Sequence, residues 1–134
     1  MKQYNIIIVF SQDRQRVLMC SRQKEPYKGV LNFVGGKIEL GENHESAAYR
    51  ELWEETSIAK DNITLSHLMD FSYIEDEISL EVYWGVLTSQ IEASGDENRL
   101  LWVDVNKEFV DINCFAGEGN IYHMLEYIKR YAKQ

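Results

Sequence analysis

Apolar residues in this chain fall into short blocks separated by polar turns, and the spacing within each block predicts its element. YNIIIVF (Tyr4–Phe10) is a compact β-branched run that reads as a buried strand. The polar SQDRQ (Ser11–Gln15) turns the chain. RVLMCS (Arg16–Ser21) brings it back, so the two runs are expected to form a hairpin. RQKEPYKG (Arg22–Gly29) contains the sole proline and reads as a loop; VLNFV (Val30–Val34) is a third short strand, stopping at Gly35-Gly36. The pattern then changes period. Asn43 is an N-cap for a helix to Thr56, with Ala48 and Leu52 four apart on its apolar face and Tyr49 and Trp53 flanking it. Two β-rich segments, ITLSHLMDFSY and ISLEVYWGVLT, surround the turn Ile74–Glu77 and suggest an antiparallel pair. In the second, Ile78, Leu80 and Val82 alternate with Ser79, Glu81 and Tyr83, which predicts one buried face. Ser89–Asn98 is a long polar loop and Arg99–Val105 another strand. From about Gly119, Ile121, Met124, Leu125 and Ile128 repeat at helical spacing, with Lys129, Arg130 and Lys133 toward the helix C-terminus, where the dipole favours cations.

Strands outnumber helices, with one helix mid-chain and one near the end. This predicts an α+β fold, a mixed sheet between helices in an α/β/α sandwich. The 134 residues suit one domain, 1–134, without repeats or linkers. The apolar run Ile6–Phe10 is too short for a membrane span or a signal peptide, so a cytoplasmic protein without a membrane partner is expected. Cys20 and Cys114 stand far apart and read as reduced thiols. His44, His67 and His123 do not cluster and read as surface or strand residues; Trp53, Trp84 and Trp102 read as core. The net charge of −8 argues against duplex nucleic acid as a partner, yet permits a small phosphorylated substrate bridged by a cation.

The candidate chemistry lies in GGKIELGENHESAAYRELWEETSI, Gly35–Ile58. Glu51, Glu54 and Glu55 stand at i, i+3 and i+4, on one helical face, where like charges cost a few tenths of a kcal/mol per pair. Arg50 can orient a neighbouring carboxylate but cannot neutralise three. A solvated acidic face is the simple alternative. The preceding Gly35-Gly36 shifts the balance, because paired glycines allow a sharp turn and close approach of a carbonyl. A hard cation such as Mg²⁺ takes oxygen ligands of this kind.

This stretch resembles the Nudix box, G-x5-E-x7-R-E-U-x-E-E-x-G-U, where U is a bulky aliphatic. Gly36, Glu42, Arg50-Glu51, Leu52, Glu54-Glu55 and Ile58 fall on its positions, with Ser57 where the family carries a helix-ending glycine. The resemblance implies a Nudix-type α/β/α sandwich and a hydrolase of nucleoside diphosphate derivatives using Mg²⁺ or Mn²⁺. By the same resemblance, Gly35, Glu51, Glu54 and Glu55 bind metal, and Gly36, Glu42 and Arg50 support them. In the family either a box glutamate or a glutamate from a later loop takes the proton of the attacking water, so Glu54, Glu55 and Glu97, five residues before Trp102, are the candidates; Glu97 would also join the metal site, with Asp96 as fallback. A narrower resemblance is to MutT-like oxidised-purine nucleoside triphosphatases. It implies base contacts from Asn32, Phe115 and Glu118, while Arg22 is a candidate for the triphosphate or base. The expected substrate is a small-molecule nucleotide, 8-oxo-dGTP first. ADP-ribose, diadenosine polyphosphates, RNA 5′ ends and pyrimidine triphosphates remain alternatives, as does a non-catalytic nucleotide-binding regulator. Monomer and homodimer are both open.

Overall fold

Residues Lys2–Phe10 form β1, and the rest of the sheet is arranged around it. The computed structural model describes residues 1–23, 28–93, 99–107 and 120–131. After β1 come β2 (Arg16–Ser21), β3 (Leu31–Asn32), α1 (His44–Thr56), a 3-10 turn (Lys60–Asn62), β4 (Ser66–Tyr73), β5 (Ile78–Val86), β6 (Arg99–Asp104) and α2 (Asn120–Tyr131).

β1 is longer than its apolar run. Its polar start, Lys2–Asn5, is held by parallel pairing with β5 from Lys2↔Ile78 to Phe10↔Val86. β5 in turn pairs antiparallel with β4, as the turn at 74–77 predicted. The β1–β2 hairpin exists, but its register holds only Phe10↔Val17. β2 pairs instead along its whole length with β6, from Arg16↔Asp104 to Ser21↔Arg99. The third strand is shorter than Val30–Val34 because the chain changes partners. Asn32 lies opposite Cys20 of β2, whereas Val34 and Lys37 bridge to Ile7 and Tyr4 of β1. Gly35 and Gly36 occupy the crossing.

Alternation along the strands sorts side chains into two layers. Ile7, Val9, Leu18 and Tyr83 face one side, with Ala48 and Leu52 of α1. Ile8, Phe10, Val17, Met19, Val82 and Trp84 face the other, with Ile121, Met124, Leu125 and Ile128 of α2. The mixed sheet is therefore the middle layer of an α/β/α sandwich. One expectation for β5 is corrected here: from Val82 to Gly85 both faces are buried, because each has a helical layer above it. Trp53 also departs from expectation. It is 55% exposed, one step of about 100° round α1 from the buried stripe Ala48, Leu52 and Thr56. Trp84 is core and Trp102 packs partly against the α1-side layer.

The ends of α1 are set by local chemistry. Asn43 Oδ1 accepts the Ser46 N–H at 3.0 Å, the predicted N-cap. At the other end Ser57 takes the left-handed conformation, φ 64° and ψ 16°, and its N–H reaches the Trp53 carbonyl. The buried Thr56 hydroxyl donates to the Leu52 carbonyl at 2.6 Å and accepts the Ile58 N–H at 3.2 Å. The helix thus exits as a glycine would let it, with serine at the strained position. Among the described residues no helix is long and apolar enough to cross a membrane.

Candidate active site

The two glycines are required for two different reasons. Gly35 has φ +151°, and a Cβ there would lie 2.1 Å from the Asn5 carbonyl oxygen. The backbone crossing packs too closely on β1 for any side chain. A Cβ on Gly36 would lie 2.3 Å from Oε2 of Glu51 and 2.4 Å from its Cδ. The hydrogen of Gly36 therefore leaves the space that the Glu51 carboxylate fills. Gly36 is fixed on its other side by Asn5: its carbonyl accepts the Asn5 N–H at 2.8 Å, and its N–H donates to Asn5 Oδ1 at 2.9 Å.

α1 brings its acidic face over this turn. Arg50 is the organising cation. Its Nε and Nη2 donate to the two oxygens of Glu42 at 2.6 and 2.8 Å, and Nη2 also reaches the Lys37 carbonyl at 3.2 Å. Nη1 donates to Glu51 Oε1 at 3.0 Å and to Glu54 Oε2 at 3.1 Å. Arg50 was expected to orient a neighbouring carboxylate; it contacts three. Glu55 stands apart from that fork, with Oε2 3.4 Å from the Gly35 nitrogen.

The electrostatics follow from these contacts. The guanidinium beside Glu42, with the Glu39 N–H, holds the Glu42 carboxyl down to about 2. Arg50 itself is pushed up, chiefly by Glu42. Glu51 shifts upward although it shares the same guanidinium. Burial outweighs the attraction, and the charges of Glu54 and Glu42 add to it. A carboxylate that is costly to ionise beside another carboxylate is one that a cation would stabilise.

The oxygen-only donor set fits a hard cation. Arg50 Nη1 already draws one oxygen each from Glu51 and Glu54 to about one place, so a positive charge is accommodated there. Among the described residues, however, no three His, Cys, Asp or Glu side chains converge on one cation-sized point. Arg50 engages two of the three helix glutamates and Gly35 the third.

The other expected residues are distributed around this centre. Asn32 Oδ1 accepts its neighbour's N–H, from Phe33, at 2.8 Å, so that oxygen is satisfied by backbone. Leu31 and Phe33 pack into the α2-side layer, which by alternation puts Asn32 on the α1 face, opposite Cys20. Burial, then the charge of Glu55, pushes the Cys20 thiol up to about 11, so this thiol lies within the field of the acidic face. Arg22 is exposed and its backbone closes the 22–30 loop, with its carbonyl accepting the Gly29 N–H. Glu97 and Asp96, and likewise Cys114, Phe115, Glu118 and Lys133, lie outside the described residues. A cavity of about 380 Å³ lies elsewhere, between the β1–β2 turn, residues 87–92 and Trp102; none of the box residues lines it.

Sequence reasoning missed a polar row under α1. Asn5 is 2% exposed and stands in register beside Glu81 of β5. Glu81 accepts from Tyr83 Oη at 2.9 Å and pairs with His44 Nδ1 at 2.5 Å, tying the start of α1 to the sheet. The trace in the sequence is an amide just ahead of the apolar run of β1 and an acid among the polar positions of β5. His67, by contrast, pairs with Asp70 at 2.7 Å on the surface, as a strand histidine would.

Known proteins resemble the chain in sequence, and others in fold. The chain is 32% identical over 94 residues to an oxidized purine nucleoside triphosphate hydrolase of Danio rerio, a match covering 69% of this chain and 60% of that protein. It is 36% identical over 69 residues to an 8-oxo-dGTP diphosphatase of Escherichia coli, covering 52% and 53%. The chain thus spans little more than half the length of these relatives. A solved MutT, from work on Aliivibrio salmonicida and Vibrio cholerae, superposes with TM-score 0.74 at 23% identity, covering 97% of this chain and 98% of that one. A C. elegans Ap4A hydrolase superposes with TM-score 0.77 at 15% identity, covering 98% and 97%. The NUDIX domain pattern matches residues 1–122, and with the glycine crossing and the Arg50-centred glutamates in place, the chain belongs to the Nudix family.

Proposed function

We propose that this chain is a divalent-cation-dependent pyrophosphohydrolase that cleaves a nucleoside triphosphate to the monophosphate and pyrophosphate, with 8-oxo-dGTP or a related oxidised purine nucleotide as substrate and Mg²⁺ as the cation. The observation that carries it is the conjunction at Gly36: the space of a missing Cβ filled by the largely buried Glu51 carboxylate, with Glu54 drawn to the same guanidinium nitrogen. Such a construction gathers more negative charge than Arg50 alone offsets, and a bound cation would reconcile it with the phosphates of a nucleotide.

Gly35, Glu51, Glu54 and Glu55 would hold the cation, and Glu97 would join them. When bound, the cation supplies charge neutralisation for the phosphates and lowers the pKa of water. The chain's own residues do the remaining work. Arg50 fixes the Glu51 and Glu54 carboxylates, and Glu42 fixes Arg50. A carboxylate of Glu54, Glu55 or Glu97 accepts the proton of the attacking water. Asn32, Phe115 and Glu118 would read the base, with Asn32 contributing its amide nitrogen because its oxygen is held by Phe33 N–H. Arg22 would meet the triphosphate. The relatives named for oxidised purine nucleotides support that choice of base. One named an ADP-ribose pyrophosphatase and one a dihydroneopterin triphosphate diphosphatase make those compounds the comparison substrates.

The test is pyrophosphate release with Mg²⁺ across 8-oxo-dGTP, dGTP, the common NTPs and dihydroneopterin triphosphate, with ADP-ribose and diadenosine tetraphosphate followed by their nucleotide products. A large kcat/KM preference for 8-oxo-dGTP over dGTP supports the base assignment. Turnover of other substrates alone removes it and keeps the acidic centre. Full activity in both Glu54→Gln and Glu55→Gln sinks the assignment of the centre.

A further inference from the structure

Asn5 is the unexpected residue of this site. Its strand neighbours Ile7 and Val9 are core, and alternation places Asn5 with them, on the face covered by α1. It is 2% exposed, and among the described residues its buried Nδ2 has no hydrogen-bond partner. An aliphatic side chain would suit the strand better by itself, and a buried unpaired donor is a cost that native proteins rarely carry without a reason. The reason visible here is the other half of the amide. A regular antiparallel ladder would pair the Gly36 N–H with the Asn5 carbonyl; here the Asn5 N–H still reaches the Gly36 carbonyl at 2.8 Å, but the Gly36 N–H turns to the Asn5 side chain. The Asn5 side chain replaces the lost acceptor, with Oδ1 2.9 Å from the Gly36 nitrogen. Gly36 is the residue whose missing Cβ seats the Glu51 carboxylate.

We propose that Asn5 is a positioning residue for the cation centre: its side-chain oxygen pins Gly36, and through Gly36 it sets the seat of Glu51 and the placing of Gly35. At 2% exposure, Asn5 acts through Gly36 rather than on the substrate. The inference rests on the cation-dependent reading above and adds to it a residue outside the box. It predicts that Asn5 governs how tightly the cation is held more than how fast a loaded centre turns over.

The experiment uses the full chain and Mn²⁺ alone, with binding followed by the EPR signal of free Mn²⁺, alongside the Mg²⁺ dependence of activity. Asn5→Val removes the oxygen but suits the strand; Asn5→Asp keeps an oxygen on Gly36. The expected result for Asn5→Val is Mn²⁺ affinity weaker by about tenfold or more, in the range set by outer-shell partners of metal ligands. Its kcat at saturating Mg²⁺ should stay within about threefold of the parent. Asn5→Asp should weaken Mn²⁺ binding by no more than about threefold. Parental Mn²⁺ affinity in Asn5→Val overturns the proposal, and so does an equal loss in both variants. If Asn5→Val does not fold, hydrogen exchange of the Gly36 amide in the parent decides. Slow exchange supports the bond to Asn5, and exchange as fast as an open loop overturns it. The two readings fail differently. Mn²⁺ binding indifferent to Glu51→Gln and Glu54→Gln defeats the cation centre and Asn5 with it, whereas glutamate-dependent binding that ignores Asn5→Val defeats Asn5 alone.

Discussion

Replacing each of the paired glycines by alanine should separate folding from chemistry. Alanine at 35 puts a methyl group 2.1 Å from a backbone oxygen of β1. Ordinary contact is about 3.4 Å or more, so the chain must retreat from β1 by over ~1 Å. That retreat loosens the bonds from Asn5 N to the Gly36 carbonyl and from Ile7 N to the Val34 carbonyl. Each contributes about 1 kcal/mol, and the positive φ adds about 1–3 kcal/mol for a residue with a Cβ. Gly35→Ala should therefore lose about 3–5 kcal/mol. At roughly 3 °C per kcal/mol for a domain of this size, its Tm should fall by about 10 °C or more. Alanine at 36 meets the far end of a flexible side chain instead. Glu51 can swing away at a cost of about 1 kcal/mol, that of a displaced rotamer, so the Tm should fall by only a few degrees. The carboxylate, however, is no longer where a cation needs it, and kcat/KM should drop by about 100-fold. The assay is urea and thermal unfolding of both variants beside the parent, with activity measured where each is fully folded. A Gly36→Ala variant with parental kcat/KM, or a Gly35→Ala variant with parental Tm, refutes the reasoning.

Three other outcomes are expected. Thr56→Val removes the hydroxyl that closes α1 and leaves the buried Ile58 N–H unpaired, so urea unfolding should show a loss of about 1–3 kcal/mol at unchanged m-value; no loss would mean the closure does not stabilise the helix end. The Glu42 carboxyl should titrate at about 2 by carbon-detected NMR and return to the ordinary range in Arg50→Gln; because its folded pKa lies below its unfolded one, the stabilisation it provides is present above the unfolded pKa and disappears as pH falls toward 2. Cys20, with its thiol pushed up to about 11, should alkylate far more slowly than a small-molecule thiol at pH 8 and accelerate up to about pH 11, as read by mass spectrometry at that residue; rapid labelling at neutral pH contradicts the burial argument.

What could be read from the chain was local. The cap at Asn43, the buried stripe of α1 and the spacing of Ile121, Met124, Leu125 and Ile128 depend on residues within a few positions of one another, and each is found as expected. Helical spacing likewise put Glu51, Glu54 and Glu55 on one face, but it did not reveal their partners: Arg50 takes Glu51 and Glu54, while Glu55 lies by the Gly35 nitrogen. The partners of β1 and β2 were not, since no local pattern distinguishes a strand paired with its hairpin neighbour from one paired with residues 78–86 or 99–104. Asn5 was hidden for the same reason: its value depends on Gly36, which only the tertiary crossing brings beside it. Ser57 is a different case. Serine stands where the family carries a helix-ending glycine, yet the chain takes the same left-handed turn and bears the strain, with Thr56 closing the helix from inside.

The parallel pairing of β1 with β5 also determines the order of events in assembly. The strand at residues 2–10 shares one register pair with its hairpin partner but its whole length with residues 78–86. On a ribosome it must wait for some seventy more residues before its main partner exists, roughly the separation of the paired segments. Closing so long a loop is paid for before any contact rewards it, which raises contact order and slows folding. During that interval the apolar run Ile6–Phe10 lacks its main strand partner, and an unpaired apolar run of this kind is a site for chaperone binding or aggregation.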